Sequence, residues 1–280
     1  MSTGLAEASA IADEALAEGV PRWDVIAVRY GTRMTTRAEC YHGYEQLGEP
    51  DGPLRMDYYF WLLRGEAGTI LVDCGFDTAV GTRRGRTTVC PPLEALARLG
   101  ISPEAIDLLV ITHMHYDHIG QLAGFPGTAW LVPEREVTFW TGPGLSEEHA
   151  GPIERDEIDQ VAAAVAAGQA RLLDGGSIIA PGVGAVLVGG HSPGQISLVV
   201  NGVEGPVLLA SDAVHYYEEL ERELPFEIFV DLEEMVAGYG LLRELAERTG
   251  AVVVPGHDPA VVDRFPPVSD ALAGVALRLA

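Results

Sequence analysis

The chain has 280 residues, of which 48% are hydrophobic and 21% charged, enough apolar material for a sizeable packed core and none of the bias of a disordered or fibrous chain. Its 41 acidic residues against 18 basic ones leave a formal charge of −23, and no basic run exceeds Arg83-Arg84, so the surface repels polyanions and argues against nucleic acid as a partner. Three cysteines, Cys40, Cys74 and Cys90, show no CxxC spacing and indicate neither a disulfide framework nor a zinc ribbon, which suits a reducing compartment.

Ser2 to Gly19 carries no basic region ahead of an apolar core, unlike a secretory signal, and no apolar run approaches the ~20 residues of a membrane span; a cytoplasmic protein without membrane contact is expected. Residues 5–18 read as a helix with Leu5, Ala8, Ala12 and Leu16 on one stripe, packed on the body of the domain or on a partner subunit. Val25–Tyr30 is the first strand, and the polar, Gly- and Pro-rich segment 33–53 reads as a long loop. Tyr58–Leu63 and Thr69–Val72 flank a Gly-containing turn at 65–68, a hairpin signal. The second of these strands ends in Asp73-Cys74-Gly75.

Pro91–Leu99 has the start and stop signals of a helix, with Pro91-Pro92 ahead and Gly100 behind. A strand at Ile106–Ile111 follows, then one at Thr128–Val132, a helix over 133–140, a loop over 142–151 and a helix over 153–167. Strands are predicted at 171–173, 183–188, 195–200 and 206–210, the longest helix at 232–248 before Gly250, a last strand at 252–254 and a closing helix at 269–279. Strands in two groups, each followed by helices and with no low-complexity linker between them, suit two packed sheets with helices outside, in one domain spanning 1–280 with a helical extension at about residues 1–20.

The chemistry is concentrated in Thr112-His113-Met114-His115-Tyr116-Asp117-His118-Ile119-Gly120. His113 and His115, two apart in a segment leaving a strand, point the same way and can grip one cation. Asp117 and His118 fall where the chain must turn and point elsewhere. Neighbouring residues rarely all converge on a single centre, so the spacing suggests two adjacent ions. Further candidates close later apolar runs: His191 after 185–188, Asp212 after 207–210 and His257 after 252–254, and strand ends are where open sheets present functional groups. One His or Asp at a strand end is ordinarily a satisfied polar residue, but five of the eight histidines fall at these positions, and clustered imidazoles without a metal would repel one another on protonation. Imidazole and carboxylate without thiolate suit zinc, and also iron, cobalt or manganese.

This HxHxDH…H…D…H pattern, complete and in order between about Tyr58 and His257, resembles the metallo-β-lactamase superfamily. The resemblance implies an α/β (α+β type) fold, a four-layer αββα sandwich with the metal site along one edge. It places His113, His115 and His191 on one divalent ion, Asp117, His118 and His257 on a second, and Asp212 between them. A hydroxide bridging the ions is then a nucleophile already in place, and no Ser or Cys nucleophile is needed. Asp73 stands where the superfamily commonly supports its metal ligands from behind; it equally reads as an Asp opening a turn before Gly75.

Within the superfamily, RNA-cleaving members need a positive surface that this chain lacks, thioesterases of the glyoxalase II type add a basic C-terminal helical portion, and classical β-lactamases vary the His118 or Asp212 positions. The aromatic run at Tyr58, Asp73-Cys74-Gly75, Asp212-Ala213 and Gly256-His257-Asp258 resemble the N-acyl homoserine lactonases and related lactonases. The resemblance implies opening of a lactone ring, with Asp117 carrying a proton. Those lactonases carry a Tyr three places after the bridging Asp, and here that place is His215, so His215, Tyr216 or Tyr217 is expected to reach the substrate carbonyl; His215 as a plain surface residue is the competing reading. Phe139, Trp140, Phe226 and Phe229 are candidate walls of an acyl site, or else core. A small thioester or carboxylic ester is the second substrate class, and a metal-stabilised binding protein without turnover the third reading. The expected partner is a small molecule, with a homodimer through the early helix and the 33–53 loop a further expectation from the same resemblance.

Overall fold

The computed structural model describes residues 3–142, 145 and 149–280; residues 1–2 of the expected N-terminal extension, and most of the tip of the loop expected over 142–151, lie outside them. The strands are β1 Trp23–Thr36, β2 Pro53–Gly65, β3 Gly68–Val72, β4 Thr87–Thr88, β5 Leu108–Val110, β6 Ala129–Pro133, β7 Ala170–Leu173, β8 Ser177–Ala180, β9 Val183–Leu187, β10 Ile196–Asn201, β11 Pro206–Ser211, β12 Val252–Pro255 and β13 Ala276–Arg278. The helices are α1 Thr3–Ala15, α2 Arg37–Cys40, α3 Thr78–Arg83, α4 Pro92–Arg98, α5 Tyr116–Ile119, α6 Glu134–Trp140, α7 Arg155–Ala166, α8 Tyr217–Arg222, α9 Leu232–Thr249 and α10 Ala260–Arg264.

An eight-stranded sheet runs β13-β1-β2-β3-β5-β6-β7, with β4 on a second stretch of β1, and a five-stranded sheet runs β12-β11-β10-β9-β8. Their facing sides interdigitate by the two-residue period of a strand. Trp23, Val25 and Ala27 of β1 and Tyr59, Trp61 and Leu63 of β2 meet Ile196, Leu198 and Val200 of β10 and Val183 and Ala185 of β9. The intervening residues, such as Ile26, Val28, Phe60 and Leu62, turn to the other face and join the core under the helices. α4, α6 and α7 cover the first sheet, while α1 and α9 cover the second. The result is four layers: helix, sheet, sheet, helix.

The expected early helix is present, and it lies on its own chain, against β8–β10 and α9. Two other expectations are corrected. The loop over 33–53 is only partly irregular: β1 continues to Thr36 because β2 begins at Pro53 and pairs with it out to the Thr36–Pro53 rung, so the polar residues there are the outer part of a long ribbon. The closing helix over 269–279 is instead a short 3-10 turn at Asp270–Leu272 and strand β13. Gly274, at φ 72°, breaks the run, and Ala276, Leu277 and Arg278 fill the open edge of β1 opposite Val28, Ala27 and Ile26; tertiary pairing overrides the helical preference of an Ala- and Leu-rich segment. β4, β8, α3, α8 and α10 had no clear signal.

Candidate metal centre

β5, β9, β11 and β12 all deliver their C-terminal ends to one edge of the sandwich, and His113, His191, Asp212 and His257 follow them within a few residues. His115 caps the start of α5, and that helix's single turn carries Asp117 and His118. Close approach there requires Gly256: a Cβ on it would stand 2.4 Å from Asp212 Oδ1. Asp73 and Ser211, next to the site, hold φ at 60° and 49°, a left-handed conformation costly for residues with side chains and found mainly where the surroundings enforce it.

All seven expected ligand residues are buried, and their candidate ligand atoms fall into two groups, His113/His115/His191 and Asp117/His118/Asp212/His257, each within 4.8 Å. Asp212 stands between the groups. Its Oδ2 lies 3.8 Å from His113 Nε2, 3.5 Å from His191 Nε2 and 3.0 Å from His257 Nε2, and its Oδ1 lies 3.3 Å from His118 Nε2.

The hydrogen bonding anchors the outward nitrogens of three of the imidazoles. His118 Nδ1 donates to Asp73 Oδ2 at 2.7 Å, His191 Nδ1 to the Ile228 carbonyl at 2.8 Å, and His257 Nδ1 to the Asp57 carbonyl at 2.8 Å. With Nδ1 anchored, each Nε2 faces the centre. His113 Nε2, His118 Nε2 and Asp212 Oδ1 are buried without a hydrogen-bond partner, and His115 Nδ1 and His191 Nε2 lie 2.9 Å apart, a distance that two lone pairs tolerate only with a shared proton or cation between them. Orphaned buried acceptors around a common centre fit divalent cations.

Charge differs across the groups. Burial pushes the His113, His115 and His191 imidazoles down, His115 to about 3, and the neighbouring histidines push His113 and His191 further. Burial also opposes charge on His118, but Asp212, Asp73 and Asp117 outweigh it and raise its pKa well above the ordinary value. Asp212 is held well below the usual carboxylate range: burial works against its charge, and His257, His118 and His215 overcome it.

Asp73 is fully enclosed and accepts from Thr112 N at 2.8 Å, from Thr112 Oγ1 at 2.7 Å and from His118 Nδ1. It therefore orients His118 as well as turning the chain. A second buried carboxylate, Glu136, was not anticipated. It accepts from Met114 N, Trp140 Nε1, Ser192 Oγ and Gly194 N at 2.6–2.9 Å, tying the loop that bears His115 to the loop that bears His191. In sequence it looks like an ordinary helix-start glutamate.

The structure brings His215 to the centre and not to the surface. Its ring stacks on Phe226 with centroids 3.6 Å apart, and its Nε2 lies 3.3 Å from Asp212 Oδ2. Burial opposes its charge, but Glu219 and Asp212 prevail and raise its pKa to about 9. Tyr216 is not brought there: its hydroxyl donates to the Arg55 carbonyl and lies against Cys40, so the expectation that it reaches the substrate is corrected. Tyr217 is likewise directed away, under the Arg264 guanidinium at 3.6 Å, because α8 begins at that residue and turns it toward α10.

A tight pocket of about 40 Å³ over the ligands is lined by Tyr58, Asp117, Asp212, His215, Phe226 and His257, among others. It adjoins a wider cavity of about 510 Å³ that includes Trp140 and Phe229. Phe139 lies instead on a separate hollow with Arg135 and Pro193, so of the expected walls Phe226 meets the pocket, Trp140 and Phe229 the cavity, and Phe139 and Tyr217 neither. Tyr58, edge-on to His257 at 4.9 Å, is in sequence a strand residue of the aromatic run that resembles the lactonases, with nothing to mark it as a pocket residue. Alternation gave its face but not what that face covers.

Residues 56–257 match the model of the metallo-beta-lactamase superfamily, and the chain belongs to that superfamily. Among its relatives, an N-acyl homoserine lactonase of Bacillus sp is 28% identical over 224 residues, covering 75% of this chain and 84% of the relative. The N-acyl homoserine lactonase AttM of Azorhizobium caulinodans is 32% identical over 163 residues, covering 58% and 61%. The fold is similar to that of a quorum-quenching N-acyl homoserine lactone lactonase, with a TM-score of 0.72, 23% identity and coverage of 86% and 93%. It is also similar to that of AidC, a dizinc quorum-quenching lactonase, with a TM-score of 0.65, 16% identity and coverage of 86% and 92%. Among the described residues, no helix is long and apolar enough to cross a membrane.

Proposed function

We propose that this chain hydrolyses lactone rings, in the manner of the N-acyl homoserine lactonases it is similar to, with two zinc ions as the native metals and a quorum-quenching role in the cytoplasm. The observation that carries the reading is the position of Asp212, within 4 Å of His113, His118, His191 and His257 at once, the place of a carboxylate shared by two cations. His113, His115 and His191 would hold one ion and Asp117, His118 and His257 the other. Bound there, divalent ions supply an activated water and an electrophile for a carbonyl oxygen.

The chain's own side chains complete the reaction. His215 Nε2, buried without a hydrogen-bond partner and with a pKa raised to about 9, keeps its proton at neutral pH and donates it to the substrate carbonyl oxygen, the task expected of a Tyr at that position. Tyr58, lining the same pocket, also keeps its proton, since burial lifts its pKa to about 12. Asp117 faces the pocket with Oδ2 3.7 Å from His257 Nε2, placed to take a proton from the attacking water and pass it to the leaving alkoxide. Phe226, flat against His215, fixes the donor ring and excludes water.

Acid release should be measured with metal-loaded protein on N-acyl homoserine lactones of several chain lengths, an aryl ester and a thioester. Turnover of lactones well above the others supports the reading. Turnover of ester or thioester alone moves the chain to that substrate class, and no turnover by fully loaded protein leaves a metal-stabilised binding protein.

A further inference from the structure

All 18 basic residues of this chain are arginines, and with 41 acidic residues available most of them find a carboxylate. Arg29, Arg37, Arg64, Arg84 and Arg243, all half-buried, each lie within 4.0 Å of one. Arg22, Arg155, Arg171 and Arg264 do not among the described residues, and they are exposed, where water serves as well. Two arginines fit neither case. Arg33 and Arg86 are half-buried, neither forms an ion pair with a carboxylate among the described residues, and both line the tight pocket over the metal ligands.

Their meeting is built into the sheet. β1 and β4 pair Gly31 with Thr88 and Thr32 with Thr87, and one step further along the same antiparallel register sets Arg33 across from Arg86. Like charges at facing positions are destabilising, and sheltering an unpaired guanidinium costs more again. Arg33 Nε is buried without a hydrogen-bond partner among the described residues. Arg86 is held in place through Nε, which donates to the Tyr116 hydroxyl at 2.9 Å, and through Nη1, which donates to the Arg84 carbonyl. Among the described residues no carboxylate forms an ion pair with either guanidinium, Asp117 acting on Arg86 without pairing with it, and both guanidiniums act on the Tyr58 hydroxyl, drawing its pKa down against the effect of burial. The pocket opens past Arg86 and Tyr116 into the 510 Å³ cavity, which has room for a substituent extending beyond a small ring.

We infer that Arg33 and Arg86 form a seat for an oxyanion, a carboxylate or phosphate group, carried by the substrate away from the bond that is hydrolysed. The inference rests on the lactone reading for its scissile bond and names the substrate class within it: an anionic lactone. Two forked donors at facing positions can take such a group with paired charge-assisted hydrogen bonds. With a net charge of −23 working against anions at long range, such a substrate needs a local cationic seat.

The test uses the metal-loaded protein and three lactones of one ring size, bearing on the same side chain a free carboxylate, a phosphate monoester or a carboxylate methyl ester. Calorimetric binding of the three ring-opened products is measured alongside. The seat predicts that kcat/KM for at least one anionic lactone exceeds that of the methyl ester by roughly tenfold or more, the scale of one charge-assisted pair, with the larger ratio identifying the anion. That ratio should shrink with added salt and fall to within about twofold in R33Q/R86Q. Equal rates for all three lactones, or a ratio that survives in the double variant, overturn the seat and leave lactone hydrolysis standing. If no lactone turns over but the products that bear the side-chain anion still bind more tightly than the methyl ester product, whose only carboxylate comes from the opened ring, the lactone reading fails and the seat stands. No turnover and equal product binding overturn both.

Discussion

His113, His115 and His191 meet without a carboxylate of their own and rest against Trp140, edge-on to His115 at 5.4 Å; His118 and His257 share their side of the centre with two aspartates, Asp117 and Asp212, and His118 has a third, Asp73, behind it. The imidazoles of the first group are neutral because burial keeps protons off, whereas His118 is held protonated by the carboxylates around it. One half is a set of ready lone pairs. The other stores a positive charge that a metal ion must displace. The two halves are equally buried, so the difference comes from which charges surround each imidazole and not from solvent access.

The largest effect should come from the residue common to both halves. Asp212→Ala is expected to abolish occupancy of both sites and to lower turnover by on the order of a thousandfold, checked by elemental analysis together with steady-state rates. Loss of a single ion would break the symmetry of the account and assign Asp212 to one half.

The protonation contrast predicts a difference in how pH governs loading. In metal-free protein His118 is protonated at neutrality, so an ion entering that half competes with a proton, and its affinity should fall about tenfold for each pH unit below neutrality. His115, at about 3, and its partners compete little. Stepwise titration with metal at pH 7.5, 6.5 and 5.5 should therefore show one affinity that weakens steeply and one that hardly moves; parallel weakening would contradict the contrast. Asp73→Asn sharpens the same point, since it removes the carboxylate that orients His118 directly, while it reaches the other half only through Thr112, whose Oγ1 lies 3.2 Å from His113 Nδ1. It should weaken the acidic half roughly ten- to hundredfold and the other half much less.

The smallest effect concerns stability. Glu157, on α7, is buried with one oxygen unpartnered, and burial, then Glu154, then Asp117 raise its pKa to about 8. A carboxyl whose folded pKa lies above its unfolded value contributes stability that is complete below about pH 4.5 and lost as pH rises through 8. Glu157→Gln should remove that loss and stabilise the protein by about 1–2 kcal/mol at pH 8.5, relative to the parent at the same pH. Thermal unfolding at pH 5 and 8.5 reads the difference.

Much of the centre was legible because metal chemistry leaves dense, ordered traces. Seven His and Asp residues, four just after strand ends and three in the HxHxDH turn, could be found by spacing, and the structure gathers them at one edge. The supporting residues carry no such mark. Glu136 has the sequence context of any first-turn glutamate, and only the packing of α6 against the 191–194 loop gives it four donors. Tyr216 and Tyr217 were read one step too literally from proximity in sequence, since the start of α8 turns successive residues to different sides. The C-terminal strand was hidden for a similar reason: Ala276–Arg278 has no strand pattern by itself and takes that form because β1 presents an unpaired edge. Arg33 was lost inside a segment read as loop, and its facing partner Arg86 becomes visible only once β4 pairs with β1.

The central claim is a pair of divalent ions acting together, and it is tested most directly by returning metal stepwise to chelated protein while following lactone hydrolysis. The account predicts that two ions bind per chain and that turnover appears mainly with the second. Full activity with one equivalent bound, or two ions bound with no turnover of any lactone, would contradict it.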